Sequence, residues 1–247
     1  MLLAAGLLAV APSFAGPTDE IQVYDASIAA VGVFNLTWHN NYTPSGERTA
    51  AFPGGIAANH SLNGVTEWAY GVTPWLEAGL YFPIYSVNSS GSLTYDGFKL
   101  RTLFVVPDAQ SRHFFYGVNF EYSDNTRHWD AKGFTSEVRP IVGWRFGAVD
   151  LIVNPILHYD SSGVSGLDFA PATRLALHLN QSWTIAAEEY DDFGRVRGFL
   201  PTRAQSHQLF AVLDDNVGKM SVELGAGYGF TPGSDRVVVK LILSRDF

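Results

Sequence analysis

Apolar and polar side chains alternate at every second position from about residue 31 to the last residue, and a period of two gives a β-strand two chemically different faces. Phe114, Tyr116, Val118, Phe120 and Tyr122 share one face of such a segment, with Phe115, Gly117, Asn119, Glu121 and Ser123 on the other. Phe34, Leu36 and Trp38 oppose Asn35, Thr37 and His39; Val222, Leu224, Ala226, Tyr228 and Phe230 oppose Glu223, Gly225, Gly227 and Gly229. Val237, Val239, Leu241 and Leu243 oppose Arg236, Val238, Lys240 and Ile242. The pattern predicts about twelve strands, at 31–42, 61–71, 76–86, 96–106, 112–123, 134–146, 149–160, 168–179, 182–190, 205–214, 219–230 and 236–247. Most run to about ten to twelve residues, against about five or six in soluble sheets; a tilted strand crossing a bilayer needs about 9–11.

The predicted connections alternate in length. Segments 43–60, 87–95, 124–133, 161–167 and 191–204 are long, whereas 72–75, 147–148, 180–181 and 215–218 are short. Outer-membrane barrels have an even strand number, short periplasmic turns and longer extracellular loops. The expected fold is therefore all-β, an antiparallel transmembrane β-barrel of about 12 strands in the outer membrane of a Gram-negative bacterium. A soluble β-sandwich or lipocalin-like barrel is the alternative, since alternation does not say which face meets water. Four prolines, Pro83, Pro140, Pro155 and Pro171, fall inside predicted strands, where each removes a ladder donor.

Composition narrows the class further. With 16 Lys and Arg against 24 Asp and Glu, the net charge of −8 argues against a strongly basic nucleic-acid binder. The absence of Cys excludes a disulfide scaffold, a thiolate nucleophile and a Cys-ligated zinc. An aromatic content of 14% argues against disorder.

Residues 1–15 carry no charge, and their apolar run of about ten residues is shorter than the roughly 20 that span a bilayer. The run ends in Ser13-Phe14-Ala15, a small-x-small pattern before Gly16-Pro17. We read 1–15 as a signal peptide and 16–247 as the barrel, with the leader's basic residues upstream of Met1; a buried N-terminal helix is the alternative. No apolar run approaches 18 residues, which excludes a helical membrane protein. A terminal Phe247 closing an amphipathic strand resembles the signal read by the barrel-assembly machinery, with Arg245 as a departure that snorkels at the interface.

If the aromatic face meets lipid, the opposite face lines the interior. It carries Glu67, Glu77, Lys99, Arg101, Glu121, Glu137, Arg139, Arg145, Arg174, Glu188, Glu223 and Lys240, six acids and six bases. Charge on a lipid face costs about 2–4 kcal/mol near the midplane, so these residues require the lumen. Two arrangements are open. Lys99, Arg101, Arg139, Arg174 and Lys240 form a basic ladder across a selective constriction, or Glu67, Glu77 and Glu121 pair with Lys99 and Arg101 and neutralise a plugged interior. Loop residues His128, Trp129 and Phe193 are candidates to cover the mouth, or else solvated loop tips.

Catalytic patterns are sparse. No His is followed two positions on by the Ser of an outer-membrane phospholipase, and no nucleophile-elbow, zinc-protease or phosphate-loop motif occurs. An omptin-like protease finds only a faint foothold in His158 with Asp160 and in Asp191-Asp192, and solvated rim residues are the favoured reading. The histidines are too scattered for a metal site, and neither cofactor nor metal is expected.

The stretch Glu67-Trp68-Ala69-Tyr70-Gly71-Val72-Thr73-Pro74-Trp75-Leu76-Glu77-Ala78-Gly79-Leu80 resembles the strand–turn–strand of a transporter-like outer-membrane family labelled for the meta-pathway of phenol degradation. The resemblance extends loosely through Lys99-Leu100-Arg101 and Glu121-Tyr122. It implies an outer-membrane barrel that passes small molecules, aromatic or otherwise organic, and supplies no catalytic residues. The expected partners are outer-membrane lipid, the barrel-assembly machinery and a small solute. The leading function is a channel or transporter. A structural or interaction barrel with a plugged lumen and an 18-residue first loop as binding element comes second, and a rim hydrolase third.

Overall fold

A computed structural model describes residues 18–160 and 163–247; the expected leader lies outside them. Fifteen strands form one antiparallel sheet. In chain order they are β1 (Phe34–Ser45), β2 (Leu62–Thr73), β3 (Leu76–Val87), β4 (Leu93–Tyr95), β5 (Phe98–Val105), β6 (Phe114–Asp124), β7 (Phe134–Phe146), β8 (Val149–Asn154), β9 (Leu157–Tyr159), β10 (Leu167–Phe169), β11 (Ala172–His178), β12 (Trp183–Asp192), β13 (Ser206–Val217), β14 (Met220–Gly229) and β15 (Val237–Asp246).

β15 returns to pair with β1, from Asn35 opposite Asp246 to Ser45 opposite Val237, and the Phe247 N–H donates to the Phe34 carbonyl at 2.8 Å. The sheet is thus a closed cylinder. It has twelve staves, because β4 with β5, β8 with β9, and β10 with β11 are each one stave with an interruption. Single predicted strands at 149–160 and 168–179 are corrected to broken ones, and β4 lies within 87–95, expected as a loop.

The breaks explain the prolines. Val138 faces Leu157 and Val142 faces Val153, a register that sets Pro140 opposite Pro155. Phe169 faces Leu157 and Ala172 faces Asn154, which sets Pro171 opposite Pro155 on its other side. Three residues without a backbone N–H therefore sit in one row across three adjacent staves. All three share the register parity of the outward face, so the gap in the ladder presents no unsatisfied donor to lipid. At Pro83 the β2–β3 register shifts between Val65 and Glu67, and the Phe82 carbonyl accepts from Thr66 Oγ1 at 2.5 Å and Trp68 Nε1 at 3.0 Å.

The outward face is aromatic and aliphatic: Phe34, Trp38, Trp68, Leu100, Phe120, Leu175 and Leu224 are all exposed. A closed sheet with such a surface suits a bilayer, where every backbone polar group must be satisfied within the protein. Inward, Phe115 lies over Gly143 and Phe210 over Gly227 on the paired strands. A Cβ at Gly143 would sit 2.0 Å from the Phe115 ring, whereas one at Gly133, in a loop, would meet nothing within 4 Å. Gly143→Ala is expected to destabilise the barrel by about 1–3 kcal/mol in detergent unfolding titrations, the usual scale of overpacking, while Gly133→Ala stays near neutral.

Candidate functional site

The interior is not empty. Before β1 the chain runs extended inside the barrel as a luminal segment, residues 18–30, and turns back at the rim where Val31 bridges Gly71. Ile21, Val23, Tyr24 and Ala26 are buried. Ile21 packs with Phe210, Val212 and Val238; Val23, Tyr24 and Ala26 join Leu103, Phe115, Ile141 and Ile152.

The wall grips this segment mainly by its backbone. Asn154 accepts from the Tyr24 N–H at 2.7 Å and donates to the Tyr24 carbonyl at 3.0 Å, imitating a strand partner. Lys240 Nζ donates to the Ile21 carbonyl and Arg139 Nη1 to the Gln22 carbonyl, both at 3.1 Å. Asn41 donates to the Thr18 carbonyl at 3.2 Å, and the Ala29 N–H reaches Glu77 Oε2 at 2.5 Å. The Tyr24 and Tyr81 hydroxyls are 2.6 Å apart, and the Arg139 guanidinium stacks on the Tyr24 ring at 4.3 Å.

All twelve charged residues expected inside point away from lipid, and they assemble into two networks and a smaller cluster in which Asp150 serves Arg145 and lies 3.1 Å from His178. On one wall, Arg101 Nη2 is 2.7 Å from Glu67 Oε1 and also pairs with Glu77, and His39 Nε2 lies 3.2 Å from Glu67 Oε2. Lys99 reaches Asp19 at 2.7 Å and Glu121 at 3.8 Å; Arg139 reaches Glu137 at 2.7 Å and Glu20 at 3.2 Å. On the other wall, Lys240 is 2.5 Å from both Glu188 and Glu223, while Arg174 pairs with Glu188 and Asp214 and lies 3.5 Å from Glu223. Arg145 pairs with Asp150 at 3.4 Å. Each base meets an acid on its own or a neighbouring stave, and Arg101, Arg174 and Lys240 also reach acids two or three staves away.

An even balance of six acids and six bases does not hold. Asp150 and Asp214 on the wall, and Asp19, Glu20 and Asp25 on the luminal segment, add carboxylates that the strand count had not placed inside. The segment divides the lumen into two cavities. The one toward the short turns has a volume of about 640 Å³; the one toward the long loops has about 350 Å³. Among the described residues, seven carboxylates line each cavity, against Arg101 and Arg174 in the larger and Lys99 and Arg139 in the smaller.

At the mouth, Trp129 is buried against Val65, Tyr81 and Ile84, and His128 Nδ1 lies 3.0 Å from the Gly54 carbonyl. Phe193 stacks with Phe169 at 5.8 Å and lies tilted against Phe199 at 5.5 Å. Asp235, in the loop before β15, accepts from the Glu47 N–H at 3.0 Å and ties that loop to the first; burial pushes its carboxyl above the usual carboxylate range. Among the described residues, His158 and Asp160 take other partners. His158 faces Glu137 at 3.4 Å, Asp160 accepts from Arg195 at 2.8 Å, and Asp191 is 2.6 Å from His207. Among the described residues no three potential ligands cluster around a metal position. Arg245 lies 5.1 Å from the Phe247 ring.

No family model and no curated protein matches the chain. Among solved structures, the COG4313 outer membrane channel from Pseudomonas putida F1 aligns with a TM-score of 0.59 at 11% identity, over 92% of this chain and 100% of that one. The translocator domain of the autotransporter NalP from Neisseria meningitidis aligns at 0.47 and 9% identity, over 90% of each chain. LpxR from Salmonella typhimurium aligns at 0.46 and 8% identity, over 85% of this chain and 99% of that one. The likeness is one of fold, that of the outer-membrane β-barrel, and it agrees with the lipid-facing surface derived above. The bacterial outer membrane is where such a barrel resides.

Buried ion pairs are most sensitive to loss of one partner. Lys240 is fully buried and serves two carboxylates. Lys240→Met is expected to cost about 3–5 kcal/mol in unfolding titrations in micelles, and adding Glu188→Gln recovers part of it.

Proposed function

We propose that this barrel is an outer-membrane channel for small solutes, closed in the state described by its own residues 18–30. The observation that carries the reading is the pair of cavities, about 640 and 350 Å³, meeting one extended segment from opposite ends. A lumen built only as packing has no need of water-sized space on both sides of a single strand of chain. The channel fold of the Pseudomonas protein supports the same reading at the level of architecture. The solutes are small, aromatic or otherwise organic molecules, as the transporter-like resemblance implies. In this reading 1–15 is the export signal, Phe247 is read by the assembly machinery, and the chain performs no reaction of its own.

The lining sets selectivity by the sign of charge along the path. With seven carboxylates around each cavity and two permanent cations in each, the path favours cations. Deleting residues 18–30 leaves those wall acids in place apart from the three on the segment.

A structural barrel with a permanently filled lumen is the second reading, favoured by the burial of Ile21, Val23 and Tyr24. Planar-bilayer recording separates the two. The intact chain is expected to show small or rare openings, and deletion of 18–30 a steady conductance whose reversal potential in asymmetric KCl reports cation preference. Asn154→Ala, which releases both Tyr24 backbone bonds, is expected to raise the opening frequency. A deletion variant that folds and stays silent overturns the channel.

A further inference from the structure

The long connections differ in charge. The 43–60 segment sets Glu47 against Arg48, and 124–133 sets Asp124 and Asp130 against Arg127 and Lys132. The connection from β12 to β13 breaks this balance. From Phe193 to Leu213 the sequence has no acid, and residues 195–203 carry three arginines in a chain of net charge −8. Arg195 is engaged within the protein, 2.8 Å from Asp160 and 3.3 Å from Asp168. Arg197 and Arg203 are exposed, and among the described residues neither side chain makes an ion pair or hydrogen bond.

The fold lays this connection on the outward wall. Its first residues extend the ladder beside β10, the Phe193 N–H donating to the Phe169 carbonyl at 3.0 Å and the Val196 N–H to the Leu167 carbonyl at 2.9 Å. Phe169 shares the outward parity of Pro171, and its ring lies 5.8 Å from Phe193 and 6.4 Å from Phe199. Val196 and Phe199, on either side of Arg197, are exposed. The far end of the connection bonds to the turn before β15: Thr231 Oγ1 donates to the Gln205 carbonyl at 2.6 Å and the Phe230 N–H to the His207 carbonyl at 2.9 Å. That turn adds the exposed Phe230, and Arg236 follows it with its guanidinium 4.2 Å from the outward Tyr228 ring. The acids of this face are engaged or set deeper. Asp191 lies 2.6 Å from His207, and Glu189 is two residues farther down β12.

Apolar side chains interleaved with uncommitted arginines, where the wall leaves the bilayer, match an amphiphile with acyl chains and an anionic head. The planar guanidinium fork suits phosphate in particular. A soluble anion leaves Val196, Phe199 and Phe230 facing water, and a zwitterionic lipid leaves the cation excess unanswered. We propose that the rim from β12 to β15 is a docking site for a phosphorylated lipid of the loop-side leaflet. Its phosphates sit on Arg197 and Arg203, with Arg236 flanking, and its chains lie against Val196 and Phe199. The site goes beyond the channel reading and needs only the placement of the barrel in the outer membrane.

Lipid titration of the full chain in detergent micelles, read by native mass spectrometry, tests it. The probes are lipid A, a bisphosphorylated glucosamine lipid, and the same lipid without its phosphates. Lipid A is expected to bind saturably, at least about tenfold more tightly than the dephosphorylated form, the scale of one charge-assisted contact. Arg197→Gln with Arg203→Gln should weaken lipid A about tenfold and leave the dephosphorylated lipid unchanged. Arg127→Gln, in the balanced 124–133 connection, should change neither. Heat-modifiable gel mobility verifies that each variant is a folded barrel, and in the unmodified chain about 0.5 M salt should weaken lipid A. Inorganic phosphate at the lipid's concentration should not displace it. No saturable binding, equal binding of the two lipids, indifference to the double substitution, an equal loss from Arg127→Gln, or displacement by inorganic phosphate overturns the site.

Discussion

Hydrocarbon offers the backbone no hydrogen-bond partner, and every main feature of this molecule follows from meeting that condition with strands. The β1–β15 ladder removes the last free edge, closing twelve staves into a cylinder. The three aligned prolines show how strictly the condition is met. Where the ladder lapses between Asn154 and Leu157, Pro155 faces Pro140 on one side and Pro171 on the other, which have no N–H to lose, while the Ala170 N–H donates to the Ile156 carbonyl at 3.0 Å. A single proline in mid-strand would leave its neighbour's carbonyl without a donor. A row of them concentrates the loss at one level and covers it with apolar rings.

Closure at twelve staves also sets the interior. It is wider than the filled eight-stranded barrels and narrower than the open porins. Charged residues barred from the lipid face must go inside, where the low dielectric makes an unpaired charge costly. The two networks answer this with shared partners: Glu188 serves Arg174 and Lys240, and Glu67 serves Arg101 and lies beside His39. Such networks add little net stability over an apolar core, but each fixes the relative position of several staves. The unshared acids are left to face the two cavities.

Much of this was legible in the sequence, and the limits were physical. Period-two alternation located every stave, because one face meets lipid and the other does not. It also put Lys99, Arg101, Arg139, Arg174 and Lys240 inside. Pairing was harder to read, since whether Arg101 spans the lumen or meets Glu77 depends on register and side-chain reach. Pro140 and Pro155 looked like errors of boundary until cross-strand register set them face to face. The luminal segment was missed because it makes no ladder and so has no period. A signal for it existed: Phe115, Ile141, Phe210 and Val238 lie on the face assigned to a polar lumen, and apolar residues there require an apolar partner. Ile21, Val23 and Tyr24, ahead of the first strand, supply it.

The form of that partnership bears on what the segment is for. Most of the bonds that hold it run to its backbone, at Thr18, Ile21, Gln22, Tyr24 and Ala29, so the wall recognises an extended chain more than particular side chains. The wall's cations also keep partners without it. Arg139 retains Glu137, Lys99 retains Glu121, and Lys240 retains Glu188 and Glu223. Withdrawing the segment orphans no wall cation, but it exposes two apolar patches, breaks the Lys99–Asp19 and Arg139–Glu20 ion pairs, and trades the backbone bonds from Lys240 and Arg139 and to Glu77 for bonds to water. Burying Ile21 or Val23 contributes about 1.5–3 kcal/mol each, and ordering the chain costs about 1–2 kcal/mol per residue, terms of one order and opposite sign. A permanent core element would be tied into the ion-pair networks as a required partner. This one adds Asp19 and Glu20 to networks whose wall cations each keep an acid without it, as the proposed removable partition requires.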